Sequence, residues 1–252
     1  MSGPPILEID RVGKDFGALA ALTDVTIGVA SGEIFSVIGP NGAGKSTLFN
    51  VIAGLHVPTR GRVVFHGTDI TGLAPERINR RGLAKTFQIT NIFPEISVWE
   101  NVAVAVQSRQ PESGRLASLW RRSPVDAKVH DLLEPFGLLG RREELAENLS
   151  HGEQRYLEIC LALATEPRLL MLDEPTAGMT PGETKEATTL IRQIVKARGL
   201  TLLLIEHDMS VVMGISDRVA VLHFGEKIAE GPPDVVRADP NVIEAYLGGA
   251  ED

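Results

Sequence analysis

The segment from Gly39 to Thr47 has the residue types and the spacing needed to bind a phosphate group. It fits the phosphate-loop pattern, in which a glycine and four variable residues precede Gly-Lys-Ser or Gly-Lys-Thr. Glycines let the backbone turn its N–H groups around an anion, and a following helix N-terminus adds a favourable dipole. The pattern predicts that Lys45 contacts the β- and γ-phosphates and that Ser46 binds Mg²⁺. The candidate binding residues are Gly39, Pro40, Asn41, Gly42, Ala43, Gly44, Lys45, Ser46 and Thr47.

Polar residues that suit phosphate chemistry also follow two apolar runs further along the chain. Asp173 and Glu174 follow the run 169–172, and His207 lies just after the run 201–205. In a phosphate-loop protein, Asp173 would support the Mg²⁺ shell and Glu174 would orient or deprotonate water. Taken alone, the two acids also fit a solvated strand end. A neutral imidazole at His207 would contact a γ-phosphate or the attacking water, although a structural role also fits.

Two other features each have two interpretations. Phe16, upstream of the loop, fits either a core residue or an aromatic platform for a base. Ser150 and Glu153 have the spacing of a capping box, so the start of a helix would explain both residues. The box does not explain Gly152, because a glycine ordinarily weakens the first turn of a helix.

Strands and helices must place these groups at one edge of a sheet. An apolar run at residues 34–38 leads into the phosphate loop, and a helical pattern at 48–55 leads out of it. Ligands bind at the carboxyl ends of the strands in open α/β sheets. The pattern predicts further strands at 7–12, 25–29, 62–65, 84–87, 169–174, 201–205, 218–223 and 227–228, and helices at 75–81, 98–106, 125–136, 150–164, 181–197 and, in two parts separated near Pro240, 232–247.

Composition and charge narrow the class of protein. The 252 residues are 43% hydrophobic and 23% charged, which is ordinary for an α/β protein with one large core. The net charge of -8 argues against broad nucleic-acid binding, because such binding depends on Lys and Arg neutralising phosphates. Cys160, the single cysteine, is predicted to be a buried hydrophobe. We see no secretory signal and no membrane-length apolar run, so we expect a cytoplasmic protein that reaches a membrane through a partner.

The order of these motifs resembles that of the ATP-binding cassette (ABC) ATPases over nearly the whole chain. The resemblance implies a P-loop NTPase α/β fold with a mostly parallel core sheet, an N-terminal antiparallel β part and an inserted helical sub-domain. It implies a single domain over residues 1–252, with the sub-domain at about 89–164. The implied roles are adenine stacking for Phe16, Walker A for residues 39–47, the Q-loop glutamine for Gln88, the signature for residues 149–153, Walker B for Asp173 and Glu174, and the switch histidine for His207.

The resemblance also implies that two cassettes pair around two molecules of MgATP. In this family the signature of one subunit closes over the ATP held by the phosphate loop of the other, so Ser150 and Gly152 would contact the γ-phosphate in trans. Mg²⁺ would be held by Ser46 and Asp173, and Gln88 would sense the metal and water. The residues expected to act in hydrolysis are Glu174, His207, Gln88 and Lys45.

Shorter segments resemble the ATPases of branched-chain amino acid importers and their amide and urea relatives. They include Thr86-Phe87-Gln88, residues 98–102, residues 206–209 and the tail 242–248. The resemblance implies a peripheral protein on the cytoplasmic face of the membrane that has no contact with nucleic acid. Its partners would be permease subunits, a second cassette that is identical or paralogous, and indirectly a periplasmic or extracellular binding protein. Residues 92–94 are the candidate permease contact, and the cargo is not identified by these segments.

The sequence departs from the family pattern at two places. The signature usually reads Leu-Ser-Gly-Gly-Gln, and here His151 and Glu153 replace the first glycine and the glutamine. An ionised Glu153 only accepts hydrogen bonds, so a nucleotide contact and a capping role are both open for it. Thr180 stands where the family has the Asp of the D-loop, which bears on communication between the two ATP sites.

Three other functions are compatible with a cassette. A lipid or lipopolysaccharide exporter would use the same ATP site and differ in its partner. A clamp or regulator that acts on nucleic acid or ribosomes generally carries two fused cassettes or a long coiled-coil insertion, and this sequence shows neither. A nucleotide-binding scaffold without turnover would not need Glu174 and His207.

Overall fold

The structure is a computed structural model that describes residues 4–86, 92–109 and 122–247. The strands form two sheets, which confirms the predicted α/β architecture with an antiparallel N-terminal part. The strands are β1 (Leu7–Phe16), β2 (Leu19–Val29), β3 (Ile34–Ile38), β4 (Arg60–Phe65), β5 (Thr68–Asp69), β6 (Leu83–Lys85), β7 (Leu169–Asp173), β8 (Thr201–Ile205), β9 (Arg218–His223) and β10 (Glu226–Gly231). The helices are α1 (Lys45–Ile52), α2 (Pro75–Arg80), α3 (Val98–Ser108), α4 (Arg122–Leu133), α5 (His151–Ala164), α6 (Pro181–Ala197), α7 (Met209–Ile215), α8 (Pro233–Arg237) and α9 (Pro240–Leu247).

The larger sheet carries the phosphate loop and has the strand order β10-β9-β3-β8-β7-β6. Its strands run parallel except for β10, which pairs antiparallel with β9. β3, β7 and β8 are buried along their whole length, which explains why they read as nearly continuous apolar runs. Because the parallel strands end at the same edge, the residues that follow β3, β7 and β8 are brought together there.

The N-terminal sheet, ordered β2-β1-β4-β5, begins with a hairpin that is longer than predicted. The sequence indicates strands at residues 7–12 and 25–29, whereas β1 continues to Phe16 and β2 begins at Leu19. Phe16 and Leu19 pair across the turn. Backbone pairing therefore extends both strands through exposed positions where the side chains show no clear apolar alternation.

Helices α3, α4 and α5 lie between β6 and β7 in the chain and contribute to one buried cluster with the sheet. α3 begins with a capping box formed by Ser97 and Glu100. α4 ends at Leu133, before the predicted end at 136, because Pro135 and the left-handed Gly137 lead the chain into short 3-10 turns.

The C-terminal segment packs against β9 and β3. It forms α8 and α9, so the predicted break near Pro240 is confirmed. Its apolar side chains share one buried cluster with the sheet and α7, which comprises Ile38, Val212, Val219, Val221, Val236 and Val242. Through this cluster the last helix of the described chain reaches Ile38, the residue that ends β3.

Three other predictions concern burial, membrane spans and domain division. Cys160 is buried, as predicted, and burial raises the pKa of its thiol. Within the described residues, every helix is too short or too polar to span a bilayer. The division that assigns residues 89–164 to a separate helical sub-domain stays a prediction.

Candidate active site

The phosphate loop connects β3 to α1, and the helix begins earlier than the predicted residue 48. α1 starts at Lys45 because its N-cap, Gly44, adopts a left-handed φ of 98°. A Cβ atom on Gly44 would lie 2.6 Å from a carbonyl oxygen of β2, and one on Gly39 would lie 2.1 Å from a carbonyl oxygen of β9. Both positions therefore require glycine, and the loop backbone is held closely between two strands.

The N-terminus of α1 is open toward an anion. In the part of the chain that is described, no side chain caps this helix, and its first turn has no acidic residue. Lys45 Nζ donates hydrogen bonds to the carbonyl oxygens of Gly39 and Pro40, at 2.7 and 2.9 Å. Burial lowers the pKa of Lys45, and the negative charges of Glu174 and Asp173 oppose that shift. The lysine is thus held inside the loop and beside two carboxylates.

A cleft of about 470 Å³ opens over the phosphate loop. Its walls include residues 41–47, Phe16 at the tip of the β1–β2 hairpin, Glu174 after β7, and Phe224 between β9 and β10. Phe16 is 44% exposed, and its ring stands edge-on to His56 with the ring centroids 5.3 Å apart. Of the two interpretations of Phe16, this exposed position in the cleft favours the aromatic platform over the core residue.

Phe224 is a cleft residue that the sequence analysis missed. It is 80% exposed and has a left-handed φ of 45°, which is an outlier for a bulky side chain. The next residue, Gly225, donates its amide to the Ala43 carbonyl oxygen at 3.1 Å, so the β9–β10 turn is fixed to the phosphate loop. A phenylalanine before the glycine of a tight hairpin turn, where Asn or Asp is usual, was the available signal.

Asp173 ends β7 and is only 4% exposed. Burial raises its pKa, and the charge of Lys85 opposes that shift from 3.9 Å away. Lys85, at the end of β6, also donates a hydrogen bond to Asn50 of α1 at 2.7 Å, so it connects β6, β7 and α1. Lys85 lies within the strand predicted at 84–87, and no role was predicted for it, although a lysine in a mainly apolar run was a signal.

Glu174 follows Asp173 in a strained backbone conformation. Its φ is 48°, and its amide donates to the Ile205 carbonyl oxygen at 3.0 Å. Its Oε1 atom lies 3.4 Å from Nδ1 of His207, which is 60% exposed. Left-handed conformations are rare outside glycine, and they concentrate at functional sites. The carboxylate and the imidazole that the sequence predicted to act together are therefore neighbours.

A buried carboxylate aligns these two residues. Glu206 is 1% exposed and accepts a hydrogen bond from the Thr176 hydroxyl at 2.7 Å. Its other oxygen accepts the His207 amide at 3.3 Å. Burial raises the pKa of Glu206, and the Thr176 hydrogen bonds oppose the shift. Glu206 thus joins the segment after β8 to the segment that contains Glu174, a positioning role that the sequence analysis did not assign.

The signature residues lie apart from this cleft, at the start of α5. Ser150 Oγ accepts the Glu153 amide at 3.3 Å, and Glu153 accepts the Ser150 amide at 2.8 Å, which completes a capping box. Glu153 also pairs with Arg141, at 3.1 Å. A Cβ atom on Gly152 would meet only the Met179 side chain, at an ordinary 3.7 Å, so this helix does not itself require a glycine there.

Thr180 and Gln88 are two further positions for which the sequence predicts a role. Thr180, which replaces the D-loop Asp, is the N-cap of α6 and forms a capping box with Glu183. Gln88, predicted as the Q-loop glutamine and a metal contact, lies outside the described residues.

The residues at this edge of the sheet fit a magnesium nucleotide. Mg²⁺ prefers oxygen ligands and is usually bound through one or two protein groups together with substrate phosphates. The Ser46 hydroxyl in the first turn of α1 and the Asp173 carboxylate at the end of β7 are groups of this kind. Lys45 and the open amides of α1 add positive charge for the phosphates.

Comparison with known proteins agrees with this chemistry. The ABC transporter family model matches residues 22–177, and the model described as branched-chain amino acid ATP-binding cassette transporter matches residues 226–252. The high-affinity branched-chain amino acid transport ATP-binding protein LivG of Escherichia coli (strain K12) is 42% identical over 98% of this chain and 99% of its own length.

Solved structures give the same result. One ATP-binding cassette of an ABC transporter superposes with a TM-score of 0.84 at 34% identity, covering 97% of this chain and 99% of its own. A dimeric cassette in a post-hydrolysis state, bound to ADP and phosphate, superposes with a TM-score of 0.77 at 25% identity, covering 90% and 98%. The predicted fold class and the predicted family are confirmed. Because almost the entire chain aligns with such nucleotide-binding cassettes, it belongs to the ABC transporter family, as one of its ATPase subunits.

Proposed function

We propose that this chain binds and hydrolyses MgATP as half of a cassette dimer and thereby energises a membrane importer for branched-chain amino acids or related amides and urea. The observation that carries the proposal is the single cleft where the phosphate loop, Phe16 and Glu174 meet, with His207 beside Glu174. The full-length similarity to LivG, and the match of the C-terminal segment to a branched-chain amino acid model, support the importer over a lipid exporter.

The predicted site residues have defined roles in this proposal. Lys45 and the amides of the loop stabilise the charge of the phosphates, and Phe16 stacks on the base. Glu174 orients or deprotonates the attacking water, and His207 steadies the γ-phosphate. Mg²⁺, held by Ser46 and Asp173 and sensed by Gln88, would neutralise phosphate charge when bound.

The other half of the site would come from a second subunit. Ser150 and Gly152 do not line the cleft of their own chain. Neither packing nor the capping box explains why residue 152 is a glycine. The open space beside it fits a close approach by a phosphate from a partner cassette. The partner is either a second copy of this chain or a paralogue.

The permease would dock beside residues 92–94 on the cytoplasmic face of the membrane. Phe93 is 55% exposed, although its backbone is firmly held. Asn101, which is fully buried, accepts the Phe93 amide at 2.8 Å and donates to the Phe93 carbonyl oxygen at 2.9 Å. An exposed aromatic ring on a firmly held backbone is suited to anchor a partner protein. An external binding protein would deliver the cargo to that permease.

The test is the release of inorganic phosphate by a Glu174→Gln variant. We expect ATP binding to be retained and hydrolysis to fall at least about 100-fold, because a general base contributes about that much or more. Glu186→Gln, an exposed acid on α6, is the matched control and should hydrolyse ATP normally. Normal turnover by Glu174→Gln would remove Glu174 from the chemistry. If the unmodified chain in complex with its permease released no phosphate, the ATPase proposal itself would fail.

A further inference from the structure

Tyr246 is a partly buried residue with a buried hydroxyl oxygen, and the proposed hydrolysis does not use it. It belongs to the tail motif at 242–248, and its ring packs against the cluster that contains Ile38 and Val221. Its hydroxyl oxygen is shielded from solvent, and no described residue makes a hydrogen bond of normal geometry with it. Buried polar atoms without a partner are rare in native proteins, so this hydroxyl needs an explanation.

The surroundings of Tyr246 point to the first residue of the phosphate loop. Ile38, in the same cluster, ends β3 and directly precedes Gly39. Burial raises the pKa of Tyr246, and the backbone amide of Gly39 opposes that shift, as an N–H group directed at the phenol oxygen would. Tyr246 therefore packs on the cluster that contains the residue leading into the loop, with an unpartnered hydroxyl for which the adjacent Gly39 amide is the candidate donor.

Gly39 is a position where a small movement would matter. Its carbonyl oxygen accepts a hydrogen bond from Lys45, the cation of the loop, at 2.7 Å. Its α-carbon is packed so closely that a Cβ atom would lie 2.1 Å from the Leu222 carbonyl oxygen. The carbonyl oxygen and the α-carbon of Gly39 are thus both fixed, and a hydrogen bond to its amide would hold the remaining side of the residue.

We propose that Tyr246 is a positioning residue for the phosphate loop, whose hydroxyl accepts a hydrogen bond from the Gly39 amide. The bond holds the loop in the shape that binds phosphates, so the C-terminal tail is part of the nucleotide site although it touches no nucleotide. This inference rests on the proposed function, because it assumes that the loop binds the phosphates of ATP.

Tyr246→Phe is the informative variant because it removes the oxygen and keeps the ring. A positioning role predicts that ATP affinity and inorganic tripolyphosphate affinity both fall about fivefold, the fold-change of one hydrogen bond of about 1 kcal/mol. It also predicts that KM for ATP rises while kcat at saturating ATP is kept. A hydroxyl that is only an unsatisfied buried atom predicts unchanged affinities and an equal or higher unfolding temperature.

The experiment titrates the full chain with ATP and with tripolyphosphate, and records thermal unfolding of each variant. Ile243→Ala, on the same helix and 46% exposed, is the matched control for a change in α9. Weaker binding of both ligands in Tyr246→Phe alone, with cooperative unfolding retained, supports the inference. Unchanged binding, or equal losses in both variants, overturns it. Failure of the unmodified chain to bind ATP would instead overturn the proposed function.

Discussion

Two helices of this chain begin at segments that would contact phosphate, and their N-termini are built differently. α1 begins at the left-handed Gly44, with no side-chain cap within the described residues. α5 begins at Ser150 with a complete capping box. The amides at the start of α1 are therefore available to an anion, whereas the amides of Ser150 and Glu153 are already bonded within the chain.

The start of α1 and the start of α5 are the two half-sites that would contact phosphate. They differ in how well each could bind a phosphate without the other. α1, together with Lys45, can bind a phosphate from solution because donors and charge are present in one loop. α5 offers what its cap leaves unused, which is the Ser150 hydroxyl hydrogen, the first-turn amides of His151 and Gly152, and the open surface at Gly152. A phosphate would bind to α5 only when a partner subunit presents it, so binding should precede dimerisation.

The largest expected effect is on the open half-site. Lys45→Ala removes the cation inside the loop, and we expect ATP affinity to fall about 100-fold, because hydrogen bonds to charged groups contribute up to about 3 kcal/mol. Equilibrium titration with ATP measures the change. Lys185→Ala, an exposed lysine on α6, is the control for the loss of one positive charge. Similar affinities in the two variants would show that the loop does not depend on its own lysine.

A smaller effect is expected on the capped half-site, where α3 provides a matched control. Ser97 and Ser150 head capping boxes of the same type, so Ser97→Ala and Ser150→Ala should each cost about 1 kcal/mol of stability. Only Ser150→Ala should also weaken ATP-dependent dimerisation, by about tenfold, because only Ser150 would face the phosphate of a partner.

Dimerisation is best measured by sedimentation with ATP in the Glu174→Gln background, where hydrolysis does not remove the ligand. If Ser97→Ala and Ser150→Ala both dimerise as well as the parent chain, the signature serine serves only as a helix cap. A loss in both variants would trace the effect to stability, and the comparison between α1 and α5 would then lose its functional meaning.

The predicted site residues that the structure brings to one edge of the sheet share one property. The phosphate loop, Asp173, Glu174 and His207 each lie at or just beyond the carboxyl end of a buried strand, so a local pattern and the geometry of a parallel sheet suffice to bring them to one edge. The early start of α1 was missed because it depends on the left-handed conformation of Gly44, which a helical pattern of apolar residues does not reveal.

The residues that were missed act through pairings between distant segments. Lys85 gains its role only when β6 pairs with β7 and brings it near Asp173. Phe224 enters the cleft only because the β9–β10 turn is bonded to the phosphate loop. Sequence periodicity describes one element at a time, and these contacts are properties of the folded sheet.

The smallest expected effect concerns Glu153, where the chain departs from the family signature. Glu153→Gln keeps an oxygen for the Ser150 amide and removes the charge that pairs with Arg141. Both partners of that pair are partly exposed, so its loss should cost less than about 1 kcal/mol, and turnover should change less than twofold. Arg141→Ala breaks the same pair without touching the cap, and it also removes the Arg141–Glu144 pair. Steady-state kcat and KM for ATP, measured for both variants, decide the role of Glu153. Similar small effects in both variants leave Glu153 as a helix cap. A large rise or fall of kcat in Glu153→Gln alone would place it at the partner's nucleotide.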